Sequence, residues 1–220
     1  MRKYYEAYDD RYRIIHEKGY SWASDEATPI VLTMLEKHSA VHGEKILEIG
    51  CGEGRDAIAV LKRGYDLTAT DVSKEAIEYA KKRFPEYADS FSVLDCVKGD
   101  TEGKFDFIYS VAVLHMLVDN EDRKAFYNFI KRHLNENGHA LVCVMGDGKR
   151  EFSTDVSEAF ALKKRDHRSG EVFVAATSLK TVSESTMKKE IEQAGLVLCE
   201  YGLTSSPPEF DKLMYVVLSL

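Results

Sequence analysis

The 220-residue chain is poor in cysteine and proline, with four of each, and has a single tryptophan. Cys51, Cys96, Cys143 and Cys199 are scattered, with no CxxC or Cys/His spacing. That argues against a zinc site or a disulfide framework, so no metal is expected, and it suits a reducing, cytoplasmic compartment. There is no run of about 18 apolar residues, and the N-terminus, MRKYYEAYDDRYR, lacks an apolar signal core. Neither a membrane span nor a secretory leader is expected. A basic surplus is also missing: 30 Lys and Arg face 37 Asp and Glu, a formal net charge of −7. A dedicated nucleic-acid binder usually has the opposite balance, so no nucleic-acid partner is expected. Repeats and low-complexity segments are absent, and the composition excludes a collagen, a coiled coil and a disordered tail.

What is present, 44% hydrophobic and 30% charged residues, supports one domain spanning residues 1–220 with a full core. From Lys45 onward short apolar runs alternate with helical patterns, the rhythm of an α/β fold with a parallel sheet. The runs are 45–49, 67–72, 90–95, 105–113 and 139–145. Ser73 is placed to cap the helix after the second run, and Asp119 or Asn120 to start one closed near Gly138. Beyond Met145 the rhythm breaks. Residues 146–180 read as a substrate-cap insertion over the carboxyl edge of the sheet, with 172–176 as an accessory strand. A helix over Ser183–Ala194 follows, then runs at 196–202 and 212–220, joined by a loop carrying Pro207 and Pro208. That connection is too short for a helical crossover, so the last two runs should pair antiparallel. Residues 1–40 read as helical, with Tyr5, Tyr8, Tyr12 and Ile15 on one face, an amphipathic cover.

The sharpest motif is Glu48-Ile49-Gly50-Cys51-Gly52-Glu53-Gly54-Arg55-Asp56, between a strand and a helix. Its glycines permit positive φ and close approach of a ligand, and the helix N-terminus adds oriented N–H groups. Arg55 stands where a dinucleotide fingerprint would need its third glycine, which disfavours NAD, and no P-loop pattern is present. Asp71 ends the second run, where a carboxylate can accept both hydroxyls of a ribose. The pattern wants an adenosine-like group without a pyrophosphate.

ILEIGCGEGRDA followed by Asp71 resembles the class I S-adenosylmethionine (SAM)-dependent methyltransferases, and the Arg55-Asp56 pair is similar to their tellurite-resistance and thiopurine branch. The resemblance implies a Rossmann-like sheet of seven strands in the order 3-2-1-4-5-7-6, the seventh antiparallel, with helices on both faces. It implies SAM as cofactor and S-adenosylhomocysteine as product. It puts the methionine part against Gly50, Cys51, Gly52, Gly54 and Arg55, with Glu48 toward the amino end. It gives the ribose to Asp71, the adenine to Val72, Asp95 and Cys96, and the place beneath the sulfonium to Ser110 and Val111.

Methyl transfer requires alignment and exclusion of water, and a base only when the nucleophile must lose a proton. His115, just after the fourth run, is the candidate to take that proton or orient an acceptor; the competing reading is a packed histidine. Tyr8, Tyr12, Tyr20 and Trp22 are candidates for an aromatic lid, whose ring faces attract a sulfonium. Asp147 and His167 are candidates for substrate contact, and Arg165 and Arg168 for binding an anionic group. The expected acceptor is a small molecule. A protein or RNA acceptor, favoured by the basic run 163–168, and a SAM-binding module without turnover are the alternatives.

Overall fold

The computed structural model describes residues 2–38, 43–206 and 210–220. Pro207 and Pro208 lie outside them. After a 3-10 turn at Tyr4–Glu6, the chain forms α1 (Ala7–Glu17), α2 (Pro29–His38), β1 (Lys45–Ile49), α3 (Arg55–Leu61), β2 (Asp66–Asp71), α4 (Lys74–Arg83) and β3 (Phe91–Val93). It continues through β4 (Phe105–Val111), α5 (Asn120–His133), β5 (Leu134–Met145), β6 (Phe152–Ser153), β7 (Leu162–His167), β8 (Gly170–Ala175) and β9 (Lys180–Thr181). It closes with α6 (Glu184–Ala194), β10 (Val197–Ser206) and β11 (Phe210–Ser219).

The main sheet runs β3-β2-β1-β4-β5-β11-β10. Strands β1 to β5 are parallel, and β11 is antiparallel to both its neighbours. This is the expected seven-stranded order. Periodicity explains why it forms: in β4, FDFIYSV, every side chain but that of Asp106 is buried, as a central strand covered on both faces requires. Phe107, Tyr109 and Val111 pack toward α2, α3 and α4. Ile108 packs on the other side, in the layer of α5 and α6. Ser73 caps α4 by accepting from Ala76 N–H at 3.1 Å, and Gly195 at φ +67° ends α6.

Three boundaries differ from the sequence reading. β3 keeps only three residues, because it is an edge strand with one neighbour. β5 begins at Leu134, directly after α5, where its ladder with Phe105 already holds. The charged run 163–168, to which the periodicity assigns no element, lies largely in β7, which pairs antiparallel with β8 from Leu162↔Ala175 to His167↔Gly170. Val172 and Val174 are buried against Ile15 of α1, so charge on the outer strand hid a ribbon.

The N-terminal segment lies across the carboxyl end of the sheet, with α1 packed on α4 and β8. Tyr4 Oη accepts from Val118 N–H (2.9 Å) and Asp119 N–H (3.0 Å), satisfying donors at the start of α5. Asp9 accepts from Ser73 Oγ (2.7 Å) and Glu75 N–H (3.1 Å) at the start of α4. Among the described residues no helix is long and apolar enough to cross a membrane, and no trio of His, Cys, Asp or Glu is arranged to hold a metal.

Candidate functional site

The site begins where β1 ends. Gly50 and Cys51 N–H both donate to Thr70 O, at 2.7 and 2.8 Å, which folds the glycine turn back over β2. Gly50 sits at φ +80°, and a Cβ there would lie 2.0 Å from Val113 Cγ2. Gly52, at φ +53°, faces Tyr12, whose Oη would be 2.7 Å from an added Cβ. Asp71 accepts from Gly52 N–H and Ser73 N–H, both at 2.8 Å. Burial raises its pKa, the two N–H donors oppose that rise, and the result is about 6. Glu48 is fully enclosed. Burial, then the charge of Asp56, raises its pKa well above the carboxylate range, while it accepts from Tyr109 Oη at 2.9 Å.

These groups frame a cavity of about 180 Å³. Of the residues singled out in the sequence, Glu48, Gly50, Cys51, Gly52, Arg55, Asp71, Val72, Asp95, Cys96, Val111, Tyr8, Tyr12 and Trp22 line it. Sequence positions from Tyr8 to Val111 thus meet at one place. Burial pushes the Cys51 and Cys96 thiols up, so both are neutral wall groups rather than nucleophiles.

The other residues singled out in the sequence lie off this wall. Gly54 packs behind the turn, at φ +88° as the residue before α3, with the Phe91 ring 3.1 Å from its would-be Cβ. Ser110 is buried off the wall, its Oγ without a partner among the described residues. His115 is 1% exposed and off the wall. Its Nδ1 accepts from Met145 N–H at 3.2 Å, which leaves the proton on Nε2. Burial, then the charge of Arg123, lowers its pKa to about 3, too weak for a base near neutrality. Tyr20 is 45% exposed and outside the cavity. Asp147 accepts from Lys149 and Arg150 N–H in a turn of its own, which lowers its pKa. His167 stacks on Trp22, with centroids 5.7 Å apart, and bonds Ser21 O at 3.0 Å. Arg165 donates to Ala176 O and Arg168 to Ser21 O, so neither faces the cavity. No residue of 146–180 lines the cavity at all. The insertion supports the wall from behind.

Sequence reasoning missed Glu53. It lines the cavity, and its carboxylate accepts from Trp22 N–H (2.7 Å) and Ala23 N–H (2.9 Å), with His16 Nε2 at 2.7 Å. The glycine turn itself therefore holds the lid down. Asp56, beside it, accepts from Thr28 N–H (2.6 Å) and Thr28 Oγ1 (3.0 Å). The wall also includes Tyr5, which donates to Asp95 at 3.0 Å, together with Met116 and Phe210. Ala112, at φ +62°, is a non-glycine residue in the left-handed region on this wall. Glu53→Gln keeps the shape but loses a charged acceptor, so residues 16–23 should become faster to cleave in limited proteolysis, by about tenfold if roughly 1.4 kcal/mol of docking is lost. Unchanged cleavage would mean that the lid is held by its other bonds.

A family model described as a methyltransferase domain matches residues 47–140. The chain is similar to the probable S-adenosyl-L-methionine-dependent methyltransferase TehB of Haemophilus influenzae, 26% identical over 117 residues, covering 47% of this chain and 41% of that protein. It spans less than half the length of the curated relatives it matches. Among solved structures, the CcbJ methyltransferase of Streptomyces caelestis superposes with a TM-score of 0.70 at 14% identity, over 99% of each chain. The 1,6-didemethyltoxoflavin-N1-methyltransferase of Burkholderia thailandensis, solved with 1,6-didemethyltoxoflavin and S-adenosylhomocysteine, gives 0.70 at 14% identity, over 94% of this chain and 83% of that one. At these identities the structural likeness is one of fold.

Proposed function

We propose that this chain, which belongs to the class I SAM-dependent methyltransferase family, transfers a methyl group from SAM to a small-molecule acceptor held beneath its N-terminal lid. The observation that carries the reading is the buried Asp71, tied to Gly52 N–H at the foot of an aromatic-walled cavity. The residues fit the cofactor. Gly50 and Gly52 bring the bare turn backbone to the cavity wall, where a side chain would run into Val113 or Tyr12, and Asp71 keeps lone pairs free for ribose hydroxyls beyond its two N–H donors.

Gly50, Cys51, Gly52 and Arg55 would lie against the methionine part, with Glu48 toward its amino end. Val72, Asp95 and Cys96 would enclose the adenine, and Val111 would lie beneath the sulfur. When bound, SAM supplies an electrophilic methyl on a sulfonium. The chain's part is to align the acceptor and exclude water, which Tyr8, Tyr12 and Trp22 do by covering the opening. With His115 withdrawn from the wall, no histidine lines the cavity among the described residues. A small acceptor is favoured because the cover rests on the cavity wall through Glu53, and because the basic residues of β7 turn away from the opening.

Calorimetric titration with SAM, S-adenosylhomocysteine and, as control, NAD tests the cofactor. Asp71→Ala should weaken binding by about 1–3 kcal/mol, the range for hydrogen bonds to a charged group. A folded variant with unchanged affinity would defeat the assignment. Ribose hydroxyls favour the ionised carboxylate, so affinity should fall as the pH drops through about 6, and Asp71→Asn should flatten that dependence. Transfer of labelled methyl to protein or RNA fractions, and to no small molecule, would overturn the acceptor class.

A further inference from the structure

Five carboxylates line the cavity, those of Glu48, Glu53, Asp56, Asp71 and Asp95, against one guanidinium, that of Arg55. Arg55 already donates to Thr28 Oγ1 (2.8 Å) and Asp56 (3.2 Å). The glycine turn uses its own donors internally. Gly50 and Cys51 N–H go to Thr70 O, Gly52 N–H to Asp71 and Gly54 N–H to Cys51 O. An anionic group entering this cavity therefore meets more acceptors than donors. SAM carries one such group, the carboxylate of its methionine part.

The tyrosine hydroxyls of the wall are not alike. Tyr5 gives its proton to Asp95 at 3.0 Å. Tyr8 takes an N–H from Arg11 at 3.4 Å, and the Arg11 guanidinium backs the Tyr8 and Trp22 rings, 4.8 and 4.6 Å from their centroids. Tyr12 is 8% exposed, and its hydroxyl has no hydrogen-bond partner among the described residues. Its Oη stands over Gly52, 2.7 Å from where a Cβ would be. The ring is fixed from one side. It stacks on His16, with centroids 5.9 Å apart, and His16 in turn stacks on Tyr79 at 4.1 Å and bonds Glu53 at 2.7 Å. Burial, then the charges of Asp71 and Glu53, pushes the Tyr12 phenol up, so it keeps its proton. A buried hydroxyl left without a partner is costly, and this one belongs to the cavity wall.

We propose that Tyr12 is a cofactor-binding residue: its hydroxyl donates to the carboxylate of SAM over Gly52, so that the lid itself completes the cofactor site. The inference rests on the methyl-transfer reading and on its placing of the methionine part against the glycine turn. It makes α1 a part of the binding site as well as a cover. The bound carboxylate then ties down the lid from the ligand side, as Glu53 does from the protein side.

The probes are SAM and decarboxylated SAM, which share adenosine, sulfonium and ammonium and differ in the carboxylate alone. Binding is read by calorimetry on the full chain, without an acceptor. The native chain should bind SAM about tenfold more tightly, the scale of one hydrogen bond to a charged group. Tyr12→Phe should weaken SAM about tenfold and decarboxylated SAM less than about twofold, so that the preference collapses. Its midpoint in urea should not fall, since the deleted hydroxyl bonds nothing in the free protein. Lack of preference in the native chain overturns the proposal. So does unchanged SAM affinity in Tyr12→Phe, or an equal loss on both ligands, which would give the hydroxyl to the ribose or to the fold. Tyr5→Phe is the comparison: an equal collapse of the preference there would belong to the lid as a whole and overturn the assignment to Tyr12. A Tyr12→Phe chain that fails to fold would give the hydroxyl a structural role and overturn it too. Binding of neither ligand to the native chain overturns the methyl-transfer reading, and this proposal with it.

Discussion

Replacing Arg123 with methionine should lower the unfolding free energy by about 3–5 kcal/mol, the cost of breaking a buried ion pair from one side. Arg123 is 1% exposed. Its guanidinium grips Glu190 with two bonds of 2.7 Å, joining α5 to α6. Its third nitrogen donates to Leu114 O (2.8 Å) and Leu117 O (3.2 Å). The variant leaves a carboxylate that keeps only partial access to water and two carbonyls without their donor. Those carbonyls bracket the turn that places Met116 on the cavity wall, so ligand affinity should fall together with stability. Urea denaturation measures the first effect and titration with S-adenosylhomocysteine the second. Glu190→Gln should cost less, because a neutral amide oxygen can still accept. A loss below about 1 kcal/mol in Arg123→Met would place the pair among surface bridges in effect.

Gly50→Ala is expected to abolish cofactor binding before it unfolds the protein. A side chain at φ +80° costs about 1–2 kcal/mol, and forcing Cβ into Val113, 2.0 Å away, adds overpacking of about 1–3 kcal/mol. Val113 cannot yield without moving into the cavity or displacing Ala112, which is itself in the left-handed region. Gly103→Ala separates the two causes. Gly103 has φ +83° but nothing within 4 Å of a Cβ, so that variant should show the conformational cost alone and bind ligand normally. Equal binding losses at both positions would mean that the contact with Val113 is not what matters.

The α/β order could be read from the sequence because burial on two faces writes itself into periodicity, as in β4, and because Ser73 and Gly195 stand at helix ends. The floor of the cavity could be read because glycine and a terminal carboxylate are required by backbone geometry rather than by distant neighbours. The cover could not. Glu53 takes its role from N–H groups thirty residues upstream. Arg11 is held by carbonyls 164 and 165 residues away, which leave no trace in residue type. His115 shows a different limit: nearness to the end of β4 does not say where a ring points, and this one turns to Met145 N–H and Phe210. The ribbon β7–β8 was hidden because only one of its faces is apolar, and that face covers a single helix.

The insertion braces the cavity wall chiefly through main-chain oxygens, those of Ala175 and Ala176 on Arg11. Such oxygens are supplied by any residue, so the outward side chains of this stretch are free to drift without retuning the pocket, unlike Val172, Val174, His167 and Thr177, which touch Ile15, Trp22 and Arg11. Its length is not. Adding or removing one residue between β7 and β8 would slide the ribbon by one step, about 3.4 Å, and carry both oxygens out of reach of the guanidinium. The segment behaves as a spacer whose count of residues sets the pocket, so mutational scans should find its exposed positions tolerant of substitution and the ribbon intolerant of insertion or deletion.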